Sequence, residues 1–498
     1  MILRNYQESA VKEVESTFNS SNRAMLQLPT GAGKTVVFCE IAKRYFLSEV
    51  KKVLILVHRK ELLEQASNSL GERCFKIKSG VKVIPKDFDY YVGMVESTHN
   101  RMERLPEFGL VIIDEAHIGN FNKLLFFKQD VKILGVSATP TSSNYTPLSD
   151  LYETLIQPTS IKSLINNNHL VDCKTWVFEE DVVAQESQNW SLKKFDFDEK
   201  QMGDFYSKKE MVQTTVDKYW QLCVGKKTII FNASIQHNDE VFIALKKEGL
   251  NNVYSVHSEM LKSERDEQIQ LFKNDPHGIM CNVGILTTGF DEPEIQCVIL
   301  NRKTKSLTLY LQMIGRGARV FPGKEYFTLV DIGGTSLDLG HYSKYRDWEY
   351  YFGKSMKKSK EGEAPLKVCP RCAEEIHISR PICPCCGFEF PKKETIKRKS
   401  NEMILLESET NFRYDFDKIL AIGKSRGWKE YAYYFNLITH LENYQKTDPE
   451  NITDEALKLI AKPFIEKWLI FRNKNTPAQL SYHTGKFFSE AIASVKNK

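Results

Sequence analysis

Lys34 and Thr35 close the run Leu-Pro-Thr-Gly-Ala-Gly-Lys-Thr over residues 28–35, a spacing that can hold phosphate. The apolar stretch Ala24–Leu28 precedes it, and Val36–Phe46 follows with a helical pattern. In a strand–loop–helix setting the backbone N–H groups from Gly31 to Thr35 face an anion and the helix N-terminus adds partial positive charge. Lys34 then reaches the phosphates and the Thr35 hydroxyl holds Mg2+. A second run, Leu-Val-Ile-Ile-Asp-Glu-Ala-His over 110–117, ends an apolar strand in two carboxylates. That end of the strand is where open α/β sheets bind ligands. There Asp114 would hold Mg2+ through water, Glu115 would orient and deprotonate an attacking water, and His117 would sense the terminal phosphate. Ser137 and Thr139, in Ser-Ala-Thr-Pro after another apolar strand, read as a coupling element. Further on, Gln312-Met-Ile-Gly-Arg-Gly-Ala-Arg319 sets Arg316 and Arg319 three apart, on one face if the segment is helical. Gly315 and Gly317 permit a close approach, so the two arginines could stabilise a transferring phosphoryl group.

A different chemistry is written near the C-terminus. Cys369-Pro-Arg-Cys372, ten residues, then Cys383-Pro-Cys-Cys386-Gly form two C-x-x-C knuckles. Cys369, Cys372, Cys383 and Cys386 can close a tetrahedral Zn2+ site with no position left for water, which points to a structural metal. Cys385 is a spare thiol, and His377 reads as a surface residue. The other six cysteines are scattered in apolar contexts and read as buried free thiols.

The elements that position these groups follow from hydrophobic patterning. Val53–Val57, Leu110–Ile113 and Ile133–Val136 are short, apolar and rich in β-branched residues, as buried parallel strands are, and amphipathic stretches such as Lys60–Leu70 separate them. The rhythm breaks over roughly 156–215 and resumes with strands at Thr228–Phe231, Val253–Val256, Ile279–Val283, Val298–Leu300 and Phe327–Asp331 and a helix at Ser263–Phe272. The expected organisation is α/β: a doubly wound parallel-sheet lobe over 1–155, a connecting and decorating segment over 156–215 and a second such lobe over 216–352. Basic linkers around a zinc ribbon (353–400) and a mostly α-helical C-terminal domain (401–498) complete it, the last from helices such as Lys424–Leu441 and Asp454–Arg472. The chain has 498 residues, 42% hydrophobic and 27% charged, with a net charge of +5. That composition suits an ordinary soluble globular protein of about three domains. No apolar run approaches the ~18 residues of a membrane span, and no signal pattern opens the sequence, so a cytoplasmic location is expected. Charge is concentrated over 353–400, with twelve Lys and Arg against six Asp and Glu, which suits a phosphate backbone as partner. The aromatic and basic mix over 426–435 reads as the stripe of a helix core, with a base-stacking platform as the alternative.

Taken in order, these segments resemble the motifs of superfamily 2 DEAD/DEAH-type helicases and translocases over about residues 1–350. Arg4-Asn-Tyr-Gln7 resembles the adenine-recognising motif, with Arg4 and Gln7 as base contacts. The loop resembles motif I, with Pro29, Thr30, Gly31, Ala32, Gly33, Lys34 and Thr35 holding ATP, and Leu28 is ordinary there although a general phosphate-loop pattern has glycine at that position. Val57–Leu62 and Gly93–Thr98 resemble motifs Ia and Ib, Asp-Glu-Ala-His and Ser-Ala-Thr-Pro motifs II and III, and Ile230–Ser234 motif IV. Leu286–Pro293 resembles motif V and Gln312–Arg319 motif VI. The resemblance implies two RecA-like lobes that close on ATP, with Gly289 and Asp291 touching the nucleotide and Gln312, Arg316 and Arg319 completing catalysis. It also implies backbone contacts to nucleic acid from His58, Arg59, Thr98, Asn232, Ser234 and Thr288. Segments V and VI resemble the DNA-repair and restriction-motor branch, and within it the RadD-type proteins of bacteria and phages, which carry a C-terminal zinc module. The expected activity is a DNA-dependent ATPase. An RNA helicase and an ATP-gated recruiting module with a protein partner remain alternatives.

Overall fold

The computed structural model describes residues 3–118, 131–142, 146–178, 182–193, 196–353, 366–368, 375–377 and 402–406. The zinc-ribbon cysteines (Cys369, Cys372, Cys383, Cys386), Cys385 and the expected C-terminal helices lie outside these residues.

The first lobe runs α1 (Asn5–Thr17), β1 (Arg23–Gln27), α2 (Lys34–Glu49), β2 (Val53–Val57), α3 (Lys60–Leu70), β3 (Cys74–Ile77), β4 (Tyr90–Met94), α4 (Val95–His99), β5 (Leu110–Asp114), β6 (Lys132–Ser137), β7 (Thr154–Ile156) and α5 (Ile161–Asn166). Its seven strands form one parallel sheet in the order β3-β4-β2-β5-β6-β1-β7. Helices cover both faces, so strands at the centre can be apolar throughout. All five residues of β2 and of β5 are buried. Each such Val, Leu or Ile contributes about 1.5–3 kcal/mol. The one polar residue among those ten, Asp114, sits at the carboxyl end of β5, where burial must be justified by function.

The second lobe comprises β8 (Asp172–Phe178), α6 (Val182–Ser187), β9 (Leu192–Lys193), β10 (Asp196–Phe197), α7 (Glu199–Tyr206), α8 (Lys209–Leu222), β11 (Thr228–Asn232), α9 (Ile235–Lys247), β12 (Val253–Val256), α10 (Lys262–Asn274), β13 (Ile279–Asn282), β14 (Cys297–Asn301), α11 (Leu307–Ile314), β15 (Tyr326–Asp331), α12 (Thr335–Leu339) and α13 (Trp348–Phe352). Beyond these lie β16 (Leu366–Val368), β17 (Glu375–His377) and β18 (Met403–Leu406). The sheet order is β12-β13-β11-β14-β15-β8-β18. Here the observed architecture departs from the expected boundaries. β8 comes from the segment read as connection, yet it pairs in parallel with β15, and β18 from beyond the basic linkers adds antiparallel to β8. Only long-range pairing could reveal this, since β8 alternates buried and exposed residues like an ordinary edge strand. β16 and β17 pair antiparallel on either side of the segment that carries Cys369 and Cys372.

Cys223 and Cys297 were expected as free thiols and are instead joined as a disulfide between the end of α8 and β14, whereas Cys39, Cys74, Cys173 and Cys281 are free. No helix among the described residues is long and apolar enough to cross a membrane.

Candidate nucleotide site between the lobes

The phosphate loop springs from β1, which lies between β6 and β7 in its sheet. Leu28 is still tied to β6, its N–H donating to the Ser137 carbonyl at 3.0 Å, and the Gln27 side chain donates to the Ala138 carbonyl at 3.0 Å. Gly31 and Gly33 then take φ of +87° and +80°, which lets the chain turn sharply into α2. Gly33 caps α2 without a side-chain bond, so the first N–H groups of that 16-residue helix are left to an anion. The segment at the start of α1 braces this loop. The Tyr6 hydroxyl donates to the Ala32 carbonyl at 2.8 Å, the Gln7 amide donates to the same carbonyl at 3.2 Å, and the Gln7 Oε1 accepts from the Arg4 N–H at 3.0 Å. A Cβ on Gly33 would lie 2.7 Å from Gln7 Nε2. Gly33→Ala therefore meets both a left-handed backbone, at about 1–2 kcal/mol, and that contact. The expected result is nucleotide binding weakened about tenfold or more in a fluorescent-nucleotide titration.

The two acids sit where β5 leaves the sheet. Asp114 is 3% exposed, and its Oδ1 has no hydrogen-bond partner among the described residues. Burial, with the Glu115 carboxylate beside it, raises the Asp114 carboxyl, while Lys34 opposes the rise. Glu115 adopts φ +50°, a conformation rare for a residue with a side chain and one that redirects its carboxylate. Burial pushes Glu115 up, yet Lys34, His117, Arg316 and His58 outweigh it and hold the carboxyl below its ordinary range. It is therefore a carboxylate at neutral pH, as a base for water must be. Among the described residues no group of three or more His, Cys, Asp or Glu is arranged to hold a metal ion by itself. The unpartnered oxygen of Asp114, near Lys34 at the mouth of the phosphate loop, suits Mg2+ held largely by phosphate and water. Asp114 and Thr35 are the residues that would hold it, and its chemistry there would be neutralisation of phosphate charge.

A hydroxyl chain leads away from Glu115. His117 Nδ1 is 3.3 Å from Glu115 Oε2 and 2.9 Å from Ser137 Oγ. The Ser137 hydroxyl accepts from the Thr139 N–H at 3.1 Å, and the Thr139 hydroxyl donates across the cleft to Thr308 at 2.9 Å. Thr308 lies on α11, four residues before Gln312. Nothing in residue spacing singled it out.

α11 ends at Ile314, with Gly315 as its cap. Arg316 and Arg319 thus lie past the helix, which corrects the expectation of a shared helix face. Gly315 lies against Thr30, where a Cβ would come within 2.6 Å of its methyl group. Arg316 is half-buried; it donates to the Phe290 carbonyl, and its Nε donates to the Gln312 carbonyl at 3.3 Å. Burial lowers its pKa to about 10, and Glu115 opposes the fall, so it stays charged and faces the acid. Arg319 is ion-paired with Asp291 instead. Gly289 borders Arg59, whose guanidinium donates across the cleft to the Ile285 carbonyl at 2.9 Å.

The candidate nucleic-acid contacts divide. His58 and Arg59 are half-buried at the end of β2, and burial lowers the pKa of both. Ser234 caps α9, accepting from the His237 N–H at 3.2 Å, and Thr288 is half-buried. Thr98 and Asn232 are fully buried. The Asn232 amide donates to Asn238 at 2.9 Å and accepts from Asn301 at 3.0 Å. Polar residues crowded at a strand end have bonded to one another, and neither Thr98 nor Asn232 presents a side chain at the surface.

Comparison with known proteins agrees with this geometry. Residues 1–142 match the family model for the type III restriction enzyme res subunit, and 210–321 match that of the helicase conserved C-terminal domain. A 51.5 kDa protein of a Lactococcus phage is 30% identical over 419 residues, covering 81% of this chain and 88% of that protein. The protein named as ATP-dependent helicase IRC3 in Saccharomyces cerevisiae is also 30% identical, over 67% of this chain and 52% of its own length. The EcoAI type I restriction endonuclease subunit of Escherichia coli is 25% identical over 66% and 46% respectively. The chain thus spans about half the length of those two relatives. Among solved structures, a fragment of a type I restriction HsdR subunit from Vibrio vulnificus shares the fold, with TM-score 0.54, 22% identity and coverage of 70% of this chain and 68% of that one. With Lys34, Asp114, Glu115 and Arg316 gathered at one cleft between two parallel-sheet lobes, the chain belongs to the superfamily 2 DEAD/DEAH-type helicases, enzymes that hydrolyse ATP and act on nucleic acid.

Proposed function

We propose that this protein is a DNA-dependent ATPase that moves along or remodels DNA. The observation that carries the choice of DNA is the match of residues 1–142, most of the first lobe, to the restriction-enzyme family, joined by the phage and type I restriction relatives. Arg59 and Thr139 reach the second lobe from motif ends in the first, so a strand gripped beside them would feel any change in lobe separation. The test is an ATPase panel with single-stranded, duplex and forked DNA and matched RNA, at two salt concentrations. DNA is expected to raise turnover about tenfold or more, with a stimulation that weakens as salt rises. Equal stimulation by RNA would overturn the choice of DNA, and no stimulation by either would overturn the motor itself.

Cys369, Cys372, Cys383 and Cys386 are read as a structural Zn2+ site, on the spacing of their two knuckles and on the β16–β17 pairing that flanks the first. Purified protein should carry about one zinc per chain by elemental analysis, and Cys383→Ser should lose it. Zinc-free protein of full ATPase activity would remove this reading.

A further inference from the structure

The segment between the lobes is built into the nucleotide site. α5 is capped by Ser160, whose hydroxyl accepts from the Ser163 N–H at 3.1 Å, and its Leu164 is buried in the main core. The helix ends in a sharp reversal. Asn168 takes φ +56°, and the N–H groups of both His169 and Leu170 return to the Leu164 carbonyl, at 2.8 and 3.1 Å. These two hydrogen bonds to one carbonyl aim residues 169–171. The His169 ring lies 5.1 Å from that of Tyr6, which itself holds the Ala32 carbonyl. Leu170 is 2% exposed and sits over the phosphate loop, where a Cβ on Gly31 would lie 3.0 Å from its Cδ2 and 3.8 Å from Arg319 Cγ. The backbone of Leu170 pairs antiparallel with Arg319, and the Val171 N–H donates to the Ala318 carbonyl at 2.9 Å. At the next residue, Asp172, the chain enters β8 and the sheet of the second lobe.

We propose that His169–Val171 is a strap that sets the arginine segment against the phosphate loop, with Leu170 as the positioning residue for Arg319. The Arg319 side chain is paired with Asp291, so to meet a nucleotide it must swing about its own Cα. The strap determines where that Cα lies. Its backbone bonds tie residues 318 and 319 to the connector, and its most deeply buried side chain, Leu170, rests on Gly31, the first positive-φ residue of the loop. Both anchors of the strap are rigid, a helix in one lobe and a strand in the other. A change in lobe separation is therefore felt at Arg319 and Gly31 together. The inference rests on the family's ATP hydrolysis and adds a residue to it.

The experiment is steady-state ATP hydrolysis by the full chain carrying Leu170→Ala, Leu170→Met, Arg319→Ala or Leu170→Ala with Arg319→Ala. Leu245→Ala, an equally buried truncation on α9, serves as control. Misplacing a charge-stabilising group is expected to lower kcat of Leu170→Ala by about 10–100-fold, with KM for ATP within about threefold of the parent. Leu170→Met should recover most of the loss. The double variant should be no slower than Arg319→Ala alone, because a residue that acts through Arg319 has nothing left to position. Unchanged kcat for Leu170→Ala, an equal loss in Leu245→Ala, or multiplying losses in the double variant would each overturn the strap. Loss of activity in Arg319→Ala without loss in Leu170→Ala would discard the strap and leave the arginine's own role standing.

Discussion

Glu115→Gln is expected to lower ATP turnover by about 10²–10⁴-fold while nucleotide affinity is kept or improved. The substitution preserves shape and removes only the basic carboxylate. Glu115 can serve as a base because its surroundings overcome its burial: Lys34, His117, Arg316 and His58 together hold it ionised at a site where desolvation alone would protonate it. The same carboxylate raises Asp114, so its loss should also ease that neighbour toward its charged form. Removing a negative group next to the phosphate loop can only favour an anionic ligand. The strained φ of +50° persists in the variant, so the fold at the strand end should hold. Single-turnover hydrolysis and a nucleotide titration, run side by side, separate the two effects. Turnover within about threefold of the parent would remove Glu115 from its role as base.

Arg316→Ala should cost about 10³–10⁵ in hydrolysis, the range for an arginine that stabilises a transferring phosphoryl group. Of the two arginines past α11, this one is electrostatically coupled to Glu115, and it keeps its charge although desolvation brings its pKa to about 10. It is held from both sides, by the Gln312 carbonyl of α11 and by the Phe290 carbonyl, which fixes the guanidinium before any nucleotide arrives. Arg316→Lys should rescue little, since one ammonium cannot satisfy two carbonyls and a phosphate in the fork geometry of a guanidinium. The variant leaves the Phe290 carbonyl without this donor, so a thermal melt belongs beside the kinetics. Retained nucleotide binding with lost hydrolysis is the expected pattern, and retained hydrolysis would assign the charge-stabilising role elsewhere.

The difference between these two arginines shows where residue spacing stops informing. Three-residue spacing suggested equal partners on a helix face. The helix ends at Gly315, and the glycines at 315 and 317 let the chain leave the helix direction, so one arginine turns into the cleft and the other is paired with Asp291. Asn232 gives the same lesson. Its position matched a backbone-contact motif, yet the neighbouring strand ends supply Asn238 and Asn301, and a buried amide bonds to whatever polar groups are nearest.

What the order of residues settles is what local physics settles. Strands such as Val53–Val57 and a helix at Lys60–Leu70 follow from hydrophobic period, and the observed α3 has those same bounds. The phosphate loop and the paired acids follow too, because glycine conformation, helix-end charge and a strand's final residue are properties of a few adjacent positions. The tertiary structure decided everything that depends on meeting across the cleft. It placed β8 in the second sheet, brought Thr308 to Thr139 and Arg59 to Ile285, and laid Leu170 over Gly31. None of those pairs has a sequence signature, because each is fixed by where two separately folded sheets come to rest and by which buried polar groups must be satisfied there. The phosphate cradle is thus written in eight consecutive residues, while its closure depends on contacts between residues more than a hundred positions apart.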